Sequence, residues 1–215
     1  MTPEDIERHF TGADGTYAFA RWDRPIVPVV FGVSEESLSV IKGAIEAVVT
    51  LAAHKMDELD AEFGANLMMF FFQDWDELLE VPRLGEMIPD LEGVVTRLKA
   101  GDASQYRAFR FDNSGAIQAC FAFVRMRGEM AEMQADTLAL GQAVQAILRW
   151  SEAAFSKTSP LAVLPETGAV ILRPEIAALI RAAYDPVMPL AATDKSHALR
   201  LLARMGTTDE PQNIS

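Results

Sequence analysis

The sequence predicts an α+β fold in which a twisted mixed sheet with a hairpin is backed by long helices and followed by a helical C-terminal part. Three observations predict it. Apolar runs typical of buried strands alternate with amphipathic stretches, turn-forming residues 112–115 separate two strand-like segments, and helical patterns dominate after residue 129. Of the 215 residues, 50% are hydrophobic, which is enough to bury a full core. We expect one domain over residues 1–205 and a disordered tail over residues 206–215.

The first elements are a short helix, a strand and a long helix. Thr2 and Pro3 are typical of the start of a helix. The Ile- and Val-rich residues 26–33 suit a core strand. Ser34 then provides an N-cap, and apolar residues at helical spacing predict a helix that continues to about Asp60.

The middle of the chain predicts a second strand, short helices and a hairpin. Residues 65–74 (ANLMMFFFQD) are too apolar for either face of the strand to meet water. Residues 74–80 suit a short helix, and Pro89 interrupts the helical pattern of residues 84–101. Residues 106–125 predict an antiparallel hairpin that turns at Asp112–Gly115, because these residue types favour tight reversals.

The last part of the chain predicts helices. A long central helix is expected from Glu129 to about Phe155, with one apolar stripe toward the sheet formed by Leu140, Val144, Ile147 and Leu148. A loop rich in Pro and Thr follows. We then expect a helix that Pro174 opens and that ends near Tyr184, and a final helix from Thr193 to Met205.

Charge and composition exclude several classes of function. The net charge of −12 and the pI near 4.7 argue against binding to nucleic acid or to anionic membranes, which need clustered Lys and Arg. No apolar run approaches the roughly 20 residues of a spanning helix, so we expect no membrane insertion. The N-terminus lacks the pattern of a secretory signal, so we expect a cytoplasmic protein. Cys120 lies in an apolar run and is interpreted as a small buried hydrophobic residue rather than a catalytic thiol.

The usual catalytic and cofactor motifs are missing. His9, His54 and His197 include no pair at the i, i+4 spacing that places two imidazoles on one helical face, so we expect surface or supporting roles for them and no metal. The sequence contains neither a G-x-S-x-G elbow nor a Gly-rich phosphate loop, so we expect no cofactor. An acidic run follows the second strand. This run consists of Asp74, Asp76, Glu77 and Glu80. It suits either a capped, solvated helix start or acid–base chemistry.

Two stretches are candidates for binding. In residues 21–25 (RWDRP), Trp22 lies between Arg21 and Arg24, which suits either a stacked, ion-paired plug at the sheet edge or a small site for an anion. Gln142 and Gln145 are three residues apart on a helix, so their amides point broadly the same way. These glutamines suit solvent exposure, capping of nearby backbone groups, or the lining of a cleft.

Four segments carry a resemblance to a known family. They are residues 21–33 (RWDRPIVPVVFGV), 114–124 (SGAIQACFAFV), 138–148 (LALGQAVQAIL) and 172–189 (LRPEIAALIRAAYDPVMP). Together with the element order, they resemble an uncharacterised proteobacterial domain family related to zincin-like, metallopeptidase-fold proteins. The resemblance spans about Arg21 to Met205 and implies a central helix where such peptidases carry H-E-x-x-H.

The chain departs from that motif where catalysis would occur. The resemblance places Gly141, Gln142 and Gln145 at the positions of the first histidine, the general-base glutamate and the second histidine. Glycine has no ligand atom, and a glutamine amide is not a useful base near neutral pH. The resemblance therefore implies a non-catalytic binding or protein-interaction domain, with a cleft for peptide or protein. The alternative is a hydrolase of unrecognised type that uses acidic residues or a metal with dispersed ligands.

Overall fold

The computed structural model describes residues 1–58, 60 and 64–207, and these residues form a mixed α/β protein. The helices in this part of the chain are α1 (Pro3–Phe10), α2 (Glu35–Leu51), α3 (Glu77–Glu80), α4 (Leu84–Met87), α5 (Leu91–Ala100), α6 (Glu129–Glu132), α7 (Ala135–Ile147), α8 (Pro174–Ala183) and α9 (His197–Thr207). The strands are β1 (Phe19–Ala20), β2 (Pro28–Phe31), β3 (Leu67–Phe72), β4 (Gln105–Phe111), β5 (Ile117–Arg125), β6 (Leu161–Val163), β7 (Val170–Leu172) and β8 (Ala191–Ala192). None of the described helices is long and apolar enough to span a bilayer.

The main sheet has four strands in the order β2-β3-β5-β4. Strands β2, β3 and β5 are parallel, whereas β4 is antiparallel to β5. The mixed sheet with a hairpin is therefore confirmed. Strand β4 lies at one edge, and two small sheets, β1-β8 and β6-β7, lie outside the main one.

The sheet separates two hydrophobic clusters. Along β3, Met69 and Phe71 face a large cluster that includes residues of α2, α7 and α8, whereas Phe70 and Phe72 face a smaller cluster that includes α3 and α5. The alternation follows from the period of two residues in a strand. It confirms that β3 is apolar on both faces because both faces are covered.

Several local signals act as the sequence predicts. The Thr2 side chain accepts a hydrogen bond from the Asp5 amide, and the Asp5 carboxylate accepts one from the Thr2 amide, so α1 begins with a capping box. In the hairpin turn, Asp112 Oδ1 accepts hydrogen bonds from the amides of Ser114 and Ala116. Gly115 adopts a φ of 82°, which a residue with a side chain rarely adopts. The start of α1 and the hairpin turn are therefore both formed by contacts between residues that are close in sequence.

Helix α2 is shorter than predicted. It ends at Leu51 rather than near Asp60, and Ala53 adopts a φ of 50°. The chain turns there because Met56 pairs with Ile26 in a parallel bridge, a contact that a continuing helix would prevent. Tertiary pairing therefore outweighs the helical pattern.

The single helix predicted from Glu129 to Phe155 is wrong. The chain is extended at Met133 and Gln134, so α6 and α7 are separate helices. Helix α7 ends at Ile147 because Leu148 is extended and pairs with Arg21 in an antiparallel bridge. The apolar stripe is confirmed at Val144 and Ile147, which are 0% and 2% exposed, whereas Leu140 is only half-buried and Leu148 lies beyond the end of the helix.

The C-terminal part also differs in detail. Helix α8 begins at Pro174 as predicted, and α9 begins at His197 rather than Thr193, because Asp194 first closes a turn with the Ser196 amide. The loop predicted before α8 contains the β6-β7 hairpin. Of the expected tail, residues 208–215 lie outside the described residues.

Candidate functional site

A cleft of about 1270 Å³ lies beside strand β4. Residues of β4, helix α7, the segment 149–160 and the β6-β7 hairpin line it. Gly141, Gln142 and Gln145 of α7 are among these residues. The structure therefore brings both glutamines to one concave surface.

Strand β4 contributes an unpaired edge to the cleft. Val124 lies opposite Gln105 in the ladder, and the Arg125 amide donates to Ser104 O at 2.9 Å. Because backbone groups in an antiparallel strand point alternately to either side, those of Gln105, Arg107 and Phe109 point away from β5. Within the described residues, β4 pairs with β5 alone. These backbone groups are therefore available for another strand.

Arg107 is held by three glutamine side chains at the base of the cleft. Its Nη1 donates to Gln145 Oε1 at 3.0 Å, and its Nη2 donates to Gln105 Oε1 at 3.2 Å and also to Gln142 Oε1. Gln142 Nε2 donates in turn to Gln105 Oε1 at 3.0 Å. The amides of Gln142 and Gln145 thus bind a guanidinium group, and Gln142, at 2% exposed, does not face solvent.

The guanidinium group of Arg107 keeps its charge without a protein counter-ion. Burial lowers the pKa of Arg107 to about 10, so the group remains cationic at neutral pH. Within residues 1–58, 60 and 64–207, no carboxylate lies at ion-pair distance from it. Its Nε is buried and has no hydrogen-bond partner in this part of the chain. The cleft therefore contains a cation that only neutral oxygens stabilise.

Three aromatic side chains fix the C-terminal end of α7. The last carbonyl groups of a helix have no partner within the helix. Trp150 Nε1 donates to Val144 O at 2.8 Å, Trp22 Nε1 donates to Ala146 O at 2.9 Å, and the Tyr184 hydroxyl donates to Ile147 O at 2.8 Å. Burial raises the pKa of Tyr184 above its ordinary value, so the hydroxyl stays protonated and remains a donor. The position of Gln145 relative to β4 depends on this anchoring.

The RWDRP residues lie outside the cleft. Trp22 is 0% exposed, and Arg21 lies over the Tyr184 ring at 5.3 Å while its Nη2 donates to Met188 O at 3.2 Å. Arg24 forms an ion pair with Asp60. The stacking partner of Arg21 is Tyr184 and the ion-pair partner of Arg24 is Asp60, and the choice between a plug and an anion site stays a prediction. None of Arg21, Trp22 and Arg24 lines the cleft with the glutamines.

The position implied for a zinc ion does not suit a metal. Gly141 provides no ligand atom, and the oxygens of Gln142 and Gln145 are already bound to Arg107, whose positive charge disfavours a second cation between them. Within the described residues, no group of three or more His, Cys, Asp or Glu side chains is placed to bind a metal ion. The residues present therefore do not fit the catalytic zinc of a metallopeptidase.

The histidines have separate structural environments. His197 is 2% exposed, so of the two expected positions the surface one is wrong for this residue. The Nδ1 atom of His197 lies 2.9 Å from the hydroxyl oxygen of Tyr17, and the His197 ring packs against the Phe19 ring with centroids 4.3 Å apart. His54 Nε2 lies 2.9 Å from Arg24 O, and the ring of His9 packs edge-on against that of Trp150.

The acidic run after β3 starts a helix. Glu77 Oε1 accepts hydrogen bonds from the amides of Gln73 and Asp74 at 2.9 and 2.7 Å. Asp76 forms an ion pair with Lys99. Asp76, the N-cap residue of α3, makes no side-chain capping hydrogen bond, so α3 lacks the expected capped start, and none of the run lines the cleft.

Arg107 and the β6-β7 hairpin were not predicted from the sequence. A signal for Arg107 exists, because Gln105, Arg107 and Phe109 alternate on the face of β4 that packs toward the larger cluster. A charged residue at a core-facing position of a strand is unusual and marks a site. Two of its three glutamine partners, Gln142 and Gln145, are 35 and 38 residues away in sequence, and short-range patterns do not reveal such pairs.

Comparisons with protein-family models, curated proteins and solved structures found no match. Because no family is matched, the class of this protein rests on its own fold and site. It is an α+β protein whose mixed sheet has an antiparallel edge strand beside a large cleft, with two glutamine side chains and a half-buried arginine at its base.

Proposed function

We propose that this chain is a non-catalytic binding domain whose cleft receives an extended peptide segment of a protein partner. The observation that carries the proposal is the unpaired edge of β4, which borders the cleft with the backbone groups of Gln105, Arg107 and Phe109. An exposed strand edge is a template for another strand, and peptide-binding domains use this mode of recognition. The cleft volume of about 1270 Å³ has room for several residues of a peptide.

The proposal extends to the origin of the scaffold as a degenerate zincin-like fold. Its support is the order of elements, in which parallel strands β2, β3 and β5, the antiparallel edge strand β4 and helix α7 follow the arrangement that the resemblance implies. Gly141, Gln142 and Gln145, which the resemblance matches to the three residues of H-E-x-x-H, line the cleft. In this scaffold Arg107 supplies a fixed positive charge near the implied metal position.

Backbone pairing is tested with N-methylated peptides. Peptides of about 10 residues are selected from a displayed random library for binding to the purified protein, and each amide of a selected peptide is then methylated in turn. Because strand pairing uses the amides on one side of a strand, methylation of every second residue should abolish binding while the alternate positions tolerate it. Failure to select any peptide, or equal effects at all positions, contradicts the proposal.

Metal analysis separates the proposal from the hydrolase alternative. We expect the purified protein to contain no stoichiometric zinc in inductively coupled plasma spectrometry. One equivalent that survives dialysis would support a metal with dispersed ligands. A matched experiment rebuilds the implied motif with Gly141→His, Gln142→Glu and Gln145→His, and compares zinc binding with and without Arg107→Ala. A side chain at Gly141 has room, since its Cβ would lie 3.8 Å from Leu161 Cδ1. Zinc binding that requires the loss of Arg107 supports the degenerate-peptidase geometry, and no binding in either variant contradicts it.

A further inference from the structure

We propose that the segment bound in the cleft is acidic and that one of its carboxylates pairs with Arg107. This inference rests on the proposed function, and it names the chemistry of the ligand. The first observation is the distribution of charge in the protein. The chain has a net charge of −12, yet the cleft is lined by five cationic side chains and one carboxylate, namely Arg97, Arg107, Arg149, Lys157, Arg173 and Glu152.

Most of these cations lack protein counter-ions. Among the described residues, Arg97 pairs with Asp90 at 3.4 Å, whereas Arg149, Lys157 and Arg173 form no ion pair. Arg149 and Arg173 donate instead to neutral backbone oxygens of Ala18 and Ser159 at 2.9 and 2.8 Å. Within the described residues, four of the five cationic side chains of the cleft are therefore without an ion pair, although Asp14 acts on Arg149 at longer range. A concave site lined by one sign of charge concentrates the field and attracts the opposite charge.

Arg107 gives this field a specific target. A guanidinium group has five N–H donors, and the protein occupies three of them with amide oxygens. A second hydrogen of Nη1 has no protein acceptor in the described part of the chain. A carboxylate is a stronger acceptor for a guanidinium group than a neutral amide, because the hydrogen bond is charge-assisted. Arg107 therefore favours a carboxylate over the isosteric amide.

Position links the charge to the strand edge. Arg107 is itself a residue of β4 whose backbone points toward the open edge, next to Gln105 and Phe109. A peptide paired along this edge passes beside the Arg107 side chain. A polynucleotide offers negative charge but no backbone amides for the edge, and the overall negative charge of the chain opposes it. The combination of a strand edge and a cationic base therefore favours an acidic peptide.

The test compares peptide pools that differ only in one charge. Three pools of acetylated, amidated peptides of about nine residues carry Glu, Gln or Lys at the central position, and a fourth, acetylated pool has Gln at the centre and a free terminal carboxylate. Capture on the immobilised protein is measured by mass spectrometry. We expect the Glu pool or the free-carboxylate pool to bind about tenfold more than the Gln pool. This difference corresponds to about 1.4 kcal/mol of binding free energy. The comparison of these two pools shows whether the carboxylate comes from a side chain or from a chain end.

Three variants assign the preference to Arg107. Arg107→Gln removes the cation, and Gln142→Glu keeps it but supplies an internal carboxylate, so both should abolish the preference for the acidic pool. Gln142→Glu also preserves the test if Arg107→Gln does not fold. Arg83→Gln removes an equal charge at a side chain that is 81% exposed and outside the cleft, and it should keep the preference.

The outcomes separate this inference from the proposed function. Equal binding of the Glu and Gln pools with alternating sensitivity to N-methylation overturns the acidic preference and leaves the peptide cleft intact. Binding of no pool overturns both. Preferential capture of a single-stranded oligonucleotide, or of inorganic phosphate with no preference among peptides, shows a general anion site and also overturns the inference.

Discussion

The hydroxyl group of Tyr184 is a sharp test of how the cleft is built. Tyr184→Phe removes one oxygen atom and keeps the ring. The hydroxyl donates to Ile147 O at 2.8 Å, at the last residue of α7, and accepts from the Trp22 amide at 3.3 Å. Tyr184 is 8% exposed, and Trp22 and Ile147 are 0% and 2% exposed, so water replaces these hydrogen bonds poorly.

The expected cost follows from the two lost bonds. A neutral hydrogen bond contributes a net of about 0.5–1.5 kcal/mol, and a buried group left without a partner costs about 1–3 kcal/mol. We therefore expect Tyr184→Phe to lower the free energy of unfolding by about 1–3 kcal/mol. For a chain of this size, each kcal/mol lowers the melting temperature by about 2–4 °C.

The assay is urea denaturation followed by circular dichroism, with Tyr106→Phe as the matched control. Tyr106 is half-buried and its ring stacks near Phe123, but its hydroxyl has no hydrogen-bond partner among the described residues. Its removal should change stability by less than about 0.5 kcal/mol. If Tyr184→Phe costs no more than Tyr106→Phe, then the hydrogen bonds of the Tyr184 hydroxyl at the end of α7 do not stabilise the fold.

Three further predictions concern the core and its titratable groups. Ile147→Ala should cost about 2–5 kcal/mol in the same assay, because Ile147 is 2% exposed. Gln145→Ala should cost about 1.5–3 kcal/mol, because Gln145 Oε1 accepts a hydrogen bond from the charged Arg107 at 3.0 Å, and a cost below about 0.5 kcal/mol would contradict that contact. Burial lowers the pKa of His197 to about 4, so the unfolded chain binds an additional proton below about pH 6.5. Stability should therefore fall as the pH drops from about 6.5 to about 4, and His197→Gln should flatten this slope, whereas an unchanged slope contradicts the burial. Cys120 is 0% exposed and burial raises its pKa to about 12, so native protein should react slowly with a thiol reagent; rapid, complete labelling would contradict its placement.

The sequence predicts those parts of the fold that short-range chemistry determines. The capping box at Thr2, the turn at Asp112–Gly115 and the fully apolar strand β3 all rest on residues within a few positions of each other. Helix ends are predicted less well where a distant segment determines them. Helix α2 ends early because Met56 pairs with Ile26, and α7 ends because Leu148 pairs with Arg21. In both places a bridge between remote residues outweighs local helical propensity.

The candidate site shows the same division. Gln142 and Gln145 are recognisable from sequence because two amides in an apolar helix need partners. Their partner Arg107 is not recognisable from sequence, since it lies on strand β4 and meets the two glutamines only in the folded protein. The aromatic caps of α7 come from positions 22, 150 and 184, so the RWDRP segment could be singled out as unusual while its role as a cap stayed hidden.

The choice of glutamine rather than glutamate beside Arg107 connects stability with the proposed binding. A buried cation costs free energy unless it is paired, and a carboxylate at position 142 or 145 would provide a pair with little change in shape. The chain instead surrounds Arg107 with neutral oxygens from Gln105, Gln142 and Gln145, which orient the guanidinium group without cancelling its charge. Under the proposal, a ligand that binds in the cleft supplies the carboxylate, pairs with this charge and offsets the cost of burying it.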